Sequence, residues 1–356
     1  MDRIVIKVGS NVLTKDDGTI DVNRISSIVD QIIKLRKKGY EVILVSSGAV
    51  AAGRSSLKSS AKLDSIEQRQ LFSAIGQIRL VSLYSQYFGD YGVKVGQVLT
   101  MKENFSTRKA YLNQRNCIDV MLRCNVVPVV NENDTVSLTE LMFTDNDELS
   151  GLVASMMDAK TLLILSNIDG IWNGQPGAPG TSVIRSVEPD EDLTKYIQSG
   201  KSGFGRGGMT SKYTTARKVA DEGIRVIIAN GKKDNIITSI FSGKDTVCTV
   251  FKPKEEAVSS MKKWIAHSAG FAKGVIVINQ NAAKALKSGK AVSLLLVGVT
   301  RIEGSFEEGD IVSIVDDNGK EIAVGRTSMD SVTATGSTGE HDQKPIVHYD
   351  YLYLNQ

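Results

Sequence analysis

Short, unbroken apolar runs alternate with longer helical stretches over residues 1–250, and this alternation limits most tightly how the chain can fold. The runs are IVIKV (4–8), EVILVSS (41–47), VKVGQVLT (93–100), VVPVVNEND (126–134), TLLILSN (161–167) and RVIIAN (225–230). Between them apolar residues recur at helical spacing, as from Ile25 to Leu35, where Gly39 stops the helix, and at Leu71, Ile75, Ile78 and Leu83. A strand that is apolar along its whole length must be covered on both faces. Such strands separated by helices predict a mainly parallel sheet sandwiched by helices, an α/β fold. Pro128 is the one discord, since proline removes a ladder donor.

Beyond residue 250 the rhythm changes. TVFKPKEEAVSSMK (249–262) is polar and contains Pro253, so it reads as a linker. After it come GVIVINQ, VSLLLVGVT, IVSIVD, IAVGRTS and IVHYDYLYL, short strands divided by turn signals such as DDNG (316–319) and by one helix from Ala282 to Leu286. This pattern predicts a second, small β-barrel or sandwich. A chain of 356 residues also exceeds the size at which one core usually stops growing. The expected organisation is a first domain over 1–252, a linker over 253–262 and a second domain over 263–356.

Charge and cysteine usage exclude several classes. Residues 262–356 hold 10 Lys and Arg against 11 Asp and Glu, and the remainder holds 33 against 29. Neither part carries the electrostatic footprint of a strong nucleic-acid binder. Cys117, Cys124 and Cys248 form no CxxC pair and read as buried small hydrophobes in a reducing compartment. MDRIVIKVG runs directly into strand-like sequence, so no signal peptide is expected, and no apolar run approaches a membrane span. A cytoplasmic protein is the expectation.

In open α/β sheets, ligands bind beyond the carboxyl ends of the strands. Those ends read Lys7-Val8-Gly9-Ser10, Ser46-Ser47-Gly48-Ala49, Asn131-Glu132-Asn133-Asp134 and Ser166-Asn167, and GFGRGGMTSK (203–212) precedes a further helical stretch. Gly9-Ser10, Ser47-Gly48 and the 203–212 loop place backbone N–H groups near helix starts, where anions are favoured. Any one of these loops reads equally as an ordinary tight turn. No G-x-x-x-x-G-K-[ST] sequence is present, which excludes a Walker-type phosphate loop. Lys7 lies inside an apolar strand, where an unpaired ammonium costs several kcal/mol, so it must meet an anion. Lys7 and Lys212, from distant segments, could bracket a transferring phosphoryl group.

His267, His341 and His348 all lie beyond the linker, so the first domain has no imidazole base. A carboxylate acceptor needs none: with a reference pKa of about 4.3 it is already an anion at neutral pH. The barrier is then repulsion between two anions, answered by positioning and cations. NENDTVS (131–137) and FTDNDELS (143–150) add Glu132, Asp134, Asp145, Asp147 and Glu148. Carboxylates there suit a substrate ammonium, a Mg²⁺ ion or the alignment of lysines, or else a solvated turn.

IKVGSNVLT (6–14), VSSGAVAAG (45–53), the NENDTVS and FTDNDELS segments, LLILSNIDGIW (162–172) and GRGGMTSK (205–212) together resemble the glutamate 5-kinases, a branch of the amino acid kinase family. WIAHSAGFAKGVIVI, EGSFEEGDIVSI and KPIVHYDYL resemble the PUA domain, a small β-barrel. The resemblance implies the amino acid kinase fold and transfer of the γ-phosphoryl of ATP, with Mg²⁺, to the side-chain carboxylate of L-glutamate, the first step of proline biosynthesis. It implies that Lys7 and Lys212 contact phosphates, that Ser47, Asp134 and Asn146 hold glutamate, and that Asp147 orients the lysines. Gly9, Ser10, Ser166, Asn167 and the stretch Arg206, Gly207, Gly208, Met209, Thr210, Ser211 and Lys212 would line the nucleotide. Metal ligands are not assigned. Asn167 replaces a usual Asp and Arg206 a usual Thr, which bears on nucleotide contact. Acetylglutamate, aspartate and carbamate kinases share the implied fold and are the near alternatives. A homo-oligomer is expected, and RNA binding through the second domain is the disfavoured reading.

Overall fold

The computed structural model describes residues 1–57, 62–136, 143, 145–197, 208–255, 259–288, 291–340 and 344–354. The chain divides into two compact units. The first comprises Met1–Lys102 and Asn113–Ala257, the second Glu103–Leu112 and Val258–Gln356.

The first unit is built on β1 (Arg3–Val8), β2 (Glu41–Ser46), β3 (Val95–Thr100), β4 (Val127–Glu132), β5 (Thr161–Ser166), β6 (Ser186–Val187), β7 (Arg225–Asn230) and β8 (Cys248–Phe251). They lie in the order β3-β4-β2-β1-β5-β7-β8-β6. All neighbours are parallel except β7 and β8. The helices are α1 (Ser10–Leu13), α2 (Val22–Lys37), α3 (Ala49–Ser56), α4 (Ser65–Gly89), α5 (Arg108–Arg123, of which the part from Asn113 belongs to this unit), α6 (Asn146–Met156), α7 (Met209–Asp221) and α8 (Ile236–Ile240). The predicted mainly parallel sheet is therefore present, with six of its strands where the apolar runs place them.

Strand alternation sorts the two faces. Ile4, Ile6 and Val8 of β1 pack with Ile25, Ile28, Ile32, Leu80 and Tyr84 in one core. Val5 and Lys7 point to the opposite face, where α6 lies against β1. β4 keeps Pro128 at little cost. The Val127 N–H bonds towards β3, at Lys94 O, so the nitrogen of Pro128 faces β2, and pairing with β2 begins only at Val129.

Two expectations need correction. Thr249–Phe251, read as the start of the linker, belongs to β8 and pairs with β7. The run is too short and polar to stand out beside Lys252 and Pro253. Cys117 on α5 and Cys124 in the turn just after it are exposed, and only Cys248 is buried. Only Cys117 lies within the helix, on a side turned outwards. Ile78 likewise fits the helical pattern of α4 yet is 72% exposed.

Helices α3 and α4 cross with backbone in contact. A Cβ on Gly76 would lie 1.8 Å from the Ala49 carbonyl oxygen, and one on Gly53 1.9 Å from that of Phe72. Gly76→Ala is therefore expected to lower stability by about 1–3 kcal/mol or more, the range of overpacking. Urea denaturation measures this, and an unchanged midpoint would mean that the helices separate freely.

In the second unit, β9 (Gly274–Ile278), β10 (Val299–Gly304), β11 (Ile311–Asp316), β12 (Glu321–Arg326) and β13 (Leu352–Leu354) form one sheet ordered β10-β9-β11-β12-β13. Ile276, Ile278, Val312, Ile314, Ala323 and Phe306 supply its core. Trp264 is fully buried and donates its indole N–H to Phe105 O at 3.0 Å, which ties the segment 103–112 into this unit.

Candidate active site

The carboxyl ends of the central strands open onto a cavity of about 540 Å³ in the first unit. Lys7, Gly9 and Ser10 line it from the end of β1 and the start of α1, and Ser47 lines it from the end of β2. Asp134, Asn146, Ser166, Asn167 and Lys212 line it from the other strand ends and helix starts. Nine residues singled out in the sequence thus share one cleft. Gly208 is the N-cap of α7, and Met209, Thr210 and Ser211 form its first turn without lining the cavity. Arg206 and Gly207 lie outside the described residues.

Beneath the cavity Asp147 joins the two lysines. Lys7 Nζ is 2.6 Å from Asp147 Oδ1, and Lys212 Nζ donates to Oδ2 at 3.0 Å. Asp147 is 0% exposed, Lys7 5% and Lys212 7%. Burial alone would raise the Asp147 pKa. The charges of Lys7 and Lys212 and their hydrogen bonds outweigh it and hold the carboxyl below the ordinary range. The first turn of α6 adds the partial positive charge of a helix N-terminus. Within this triad two cations share one carboxylate, which leaves one positive charge unmatched inside the triad itself.

Backbone chemistry sets this geometry. Asp145 caps α6, accepting from the N–H groups of Asp147 and Glu148, and also accepts from Ser211 Oγ. The two helices that carry Asp147 and Lys212 are thereby joined at their starts. Gly9 donates its N–H to Leu165 O, and a Cβ there would stand 3.4 Å from Lys7 Nζ. Gly48 turns the chain out of β2 with φ of 105°, a left-handed conformation natural to glycine.

Next to Asp147 on α6, Asn146 donates to Ser47 Oγ at 2.8 Å and to Asn131 Oδ1 at 3.0 Å. Its own Oδ1 is buried without a hydrogen-bond partner among the described residues. Sequence reasoning missed two contributors here and gave two others no role of their own. Arg54 and Arg69 line the cavity, and Arg69 Nε is buried without a partner among the described residues. Asn131 opens the Asn-Glu-Asn-Asp cluster, of which Glu132 and Asp134 were singled out. Asp145 stood in the acidic segment but carried no assigned role. No sequence signal marks the arginines, which look like ordinary polar positions on α3 and α4.

Among the described residues no group of three or more His, Cys, Asp or Glu could hold a metal ion, and no helix is long and apolar enough to cross a membrane.

The sequence profile of the amino acid kinase family matches residues 2–230, and that of the PUA domain matches residues 274–349. A glutamate 5-kinase of Bacteroides thetaiotaomicron is 61% identical over 353 residues, spanning 99% of this chain and 98% of the relative. A glutamate 5-kinase of Chlorobaculum tepidum is 46% identical, spanning 99% and 97%. Among solved structures, carbamate kinase from Giardia lamblia bound to AMP-PNP superposes with a TM-score of 0.52 at 17% identity, covering 71% of this chain and 99% of that one. That likeness is one of fold.

Proposed function

The chain belongs to the amino acid kinase family, and from that premise we propose that it transfers the γ-phosphoryl group of ATP to the side-chain carboxylate of L-glutamate, giving γ-glutamyl phosphate and ADP. The observation that carries the reading is the pair of buried ammonium groups held on one buried carboxylate at the floor of the cleft. Near-full-length relatives at 61% and 46% identity support glutamate as the acceptor. The reaction is the first step of proline biosynthesis and takes place in the cytoplasm.

Two anions must approach within bonding distance, and Lys7 and Lys212 offset their repulsion as charge shifts from the γ-phosphoryl towards the leaving ADP. The acceptor carboxylate is ionised at neutral pH and needs no base, so the lack of histidine in the first unit is no obstacle. Asp134 and the free Oδ1 of Asn146 suit the substrate ammonium, and Ser47 can donate its hydroxyl hydrogen to a substrate oxygen. Arg69 and Arg54 suit the α-carboxylate. Ser166, Asn167 and the start of α7 lie on the nucleotide side. Mg²⁺ fits this donor set as an ion arriving on the phosphates rather than in an all-protein cage. It would be held by phosphate oxygens and water, and when bound it supplies charge neutralisation.

The test is direct. Purified protein with ATP, Mg²⁺ and glutamate should form an acyl phosphate that hydroxylamine traps as the hydroxamate. Signal with N-acetylglutamate, aspartate or carbamate in place of glutamate moves the assignment within the family. Asp134→Ala should raise the glutamate KM by at least tenfold with little change for ATP, since a charge-assisted contact to the ammonium is lost. A change confined to the ATP KM reverses the role.

A further inference from the structure

We infer that Gln77, a residue of α4 outside the cavity wall, is a positioning residue that fixes which atoms Asn146 and Ser47 present to the amino-acid substrate; this rests on the glutamate-site reading above. Gln77 Oε1 accepts from Asn131 Nδ2 at 2.9 Å, and both side chains are buried. Asn131 Oδ1 then faces the other way, where it accepts from its neighbour Glu132 N–H at 2.9 Å and from Asn146 Nδ2 at 3.0 Å. Asn146 spends its second amide hydrogen on Ser47 Oγ at 2.8 Å.

Three amides and a hydroxyl therefore form one directional chain from α4 through β4 and α6 to the end of β2. Gln77 Oε1 and the Glu132 N–H together hold Asn131 in one orientation, and Asn131 Oδ1 in turn forbids the flipped orientation of Asn146. A primary amide has a donor end and an acceptor end, and two like ends in contact leave buried polar groups unpaired. Because both Asn146 hydrogens are used, its Oδ1 is the end left free, and it is buried without a partner among the described residues. Because Ser47 Oγ accepts, its own hydrogen is free to donate. The chain thus leaves one acceptor and one donor unspent on residues that line the cavity, which matches the ammonium and carboxylate of an amino acid.

Gln77 holds the far end at a cost that marks the arrangement as one-sided. Its Nε2 is buried with no partner among the described residues. A purely structural glutamine would be expected to satisfy both ends. Here the acceptor is retained while the donor is left over, so the acceptor is what the position supplies. Gly76, beside it, lets α4 approach α3 at backbone contact, which fixes the depth at which the Gln77 side chain reaches Asn131.

Gln77→Met keeps length and volume but removes the acceptor; Gln77→Glu keeps an acceptor oxygen. In the hydroxamate assay, Gln77→Met is expected to raise the glutamate KM by about tenfold or more while the ATP KM stays within about threefold. Gln77→Glu should bring the glutamate KM back to within about threefold of the unaltered chain even if it melts at a lower temperature. A merely structural role would move both KM values with the melting temperature and would make the buried charge of Glu worse than Met. An unchanged glutamate KM in Gln77→Met, or Gln77→Glu no better than Met, overturns the inference. If Met does not fold, Gln77→Glu alone decides: a tenfold rise in its glutamate KM overturns it and a near-normal value supports it. Absence of hydroxamate from the unaltered chain would instead sink the glutamate reading itself, so the two failures are distinguishable.

Discussion

Lys7→Met and Lys212→Met are each expected to lower kcat by two or more orders of magnitude in protein that remains folded. Each ammonium is buried and lines the cleft, where the proposed reaction brings its two anions together. Loss of one preorganised donor to developing transition-state charge commonly costs about 100- to 1000-fold. The fold should survive, because either variant leaves Asp147 one lysine: Lys212 at 3.0 Å or Lys7 at 2.6 Å. Methionine matches the lysine stem and leaves no void. The two variants should also separate in KM. Lys212 starts from α7, beside the proposed nucleotide side, and should affect ATP more. Lys7 starts from the central strand, beside Gly9, and should affect kcat with less change in either KM. Steady-state kinetics with circular dichroism and thermal melting checks both points. Near-normal turnover in both variants would make the lysines structural and remove the basis for a phosphoryl-transfer site.

Much of this was legible because it rests on short-range rules. A lysine inside IVIKV cannot stay unpaired, so Lys7 announced a buried anion before any contact was seen. Continuous apolar runs gave β1, β2, β5 and β7, and the strand-end rule then pointed at residues that do share a cleft. What escaped depends on three-dimensional neighbours. Arg69 and Gln77 sit on a long helix whose polar positions all look alike, and only the crossing of α3 and α4 turns two of them inwards. β8 escaped because its β7 partner lies about twenty residues away and the run is only four residues long. The exposure of Cys117 and Cys124 escaped because seven-residue spacing says neither where the helix ends nor which way a face points. The tie between Asp147 and both lysines was implied by resemblance, and no spacing rule links positions 7, 147 and 212.

Asp147→Asn should produce the second large effect, and its signs differ from those of the lysine variants. Among the described residues the Asp147 carboxylate is the counter-charge that both buried ammonium groups meet, so its loss leaves two like charges facing each other at the cleft floor. Breaking a buried pair by removing one partner costs about 3–5 kcal/mol. The pH dependence follows from the lowered pKa of Asp147. A carboxyl held below its unfolded value near about 3.9 contributes stability that is fully present above that value. The contribution is lost as pH falls through the folded value. Urea midpoints for the two proteins should therefore differ most near neutral pH and converge as pH falls below about 4. A difference that stays constant down to that range would mean that Asp147 stabilises the fold by shape rather than by charge. Kinetically, the variant keeps both cations but no longer fixes them, so kcat should fall about 100-fold or more while the ATP KM does not rise. Bound phosphate groups would then take over the role of counter-charge to the two ammonium groups, and added ATP should raise the melting temperature of the variant more than that of the unaltered chain. Equal shifts in the two proteins would mean that the lysines do not reach the phosphates.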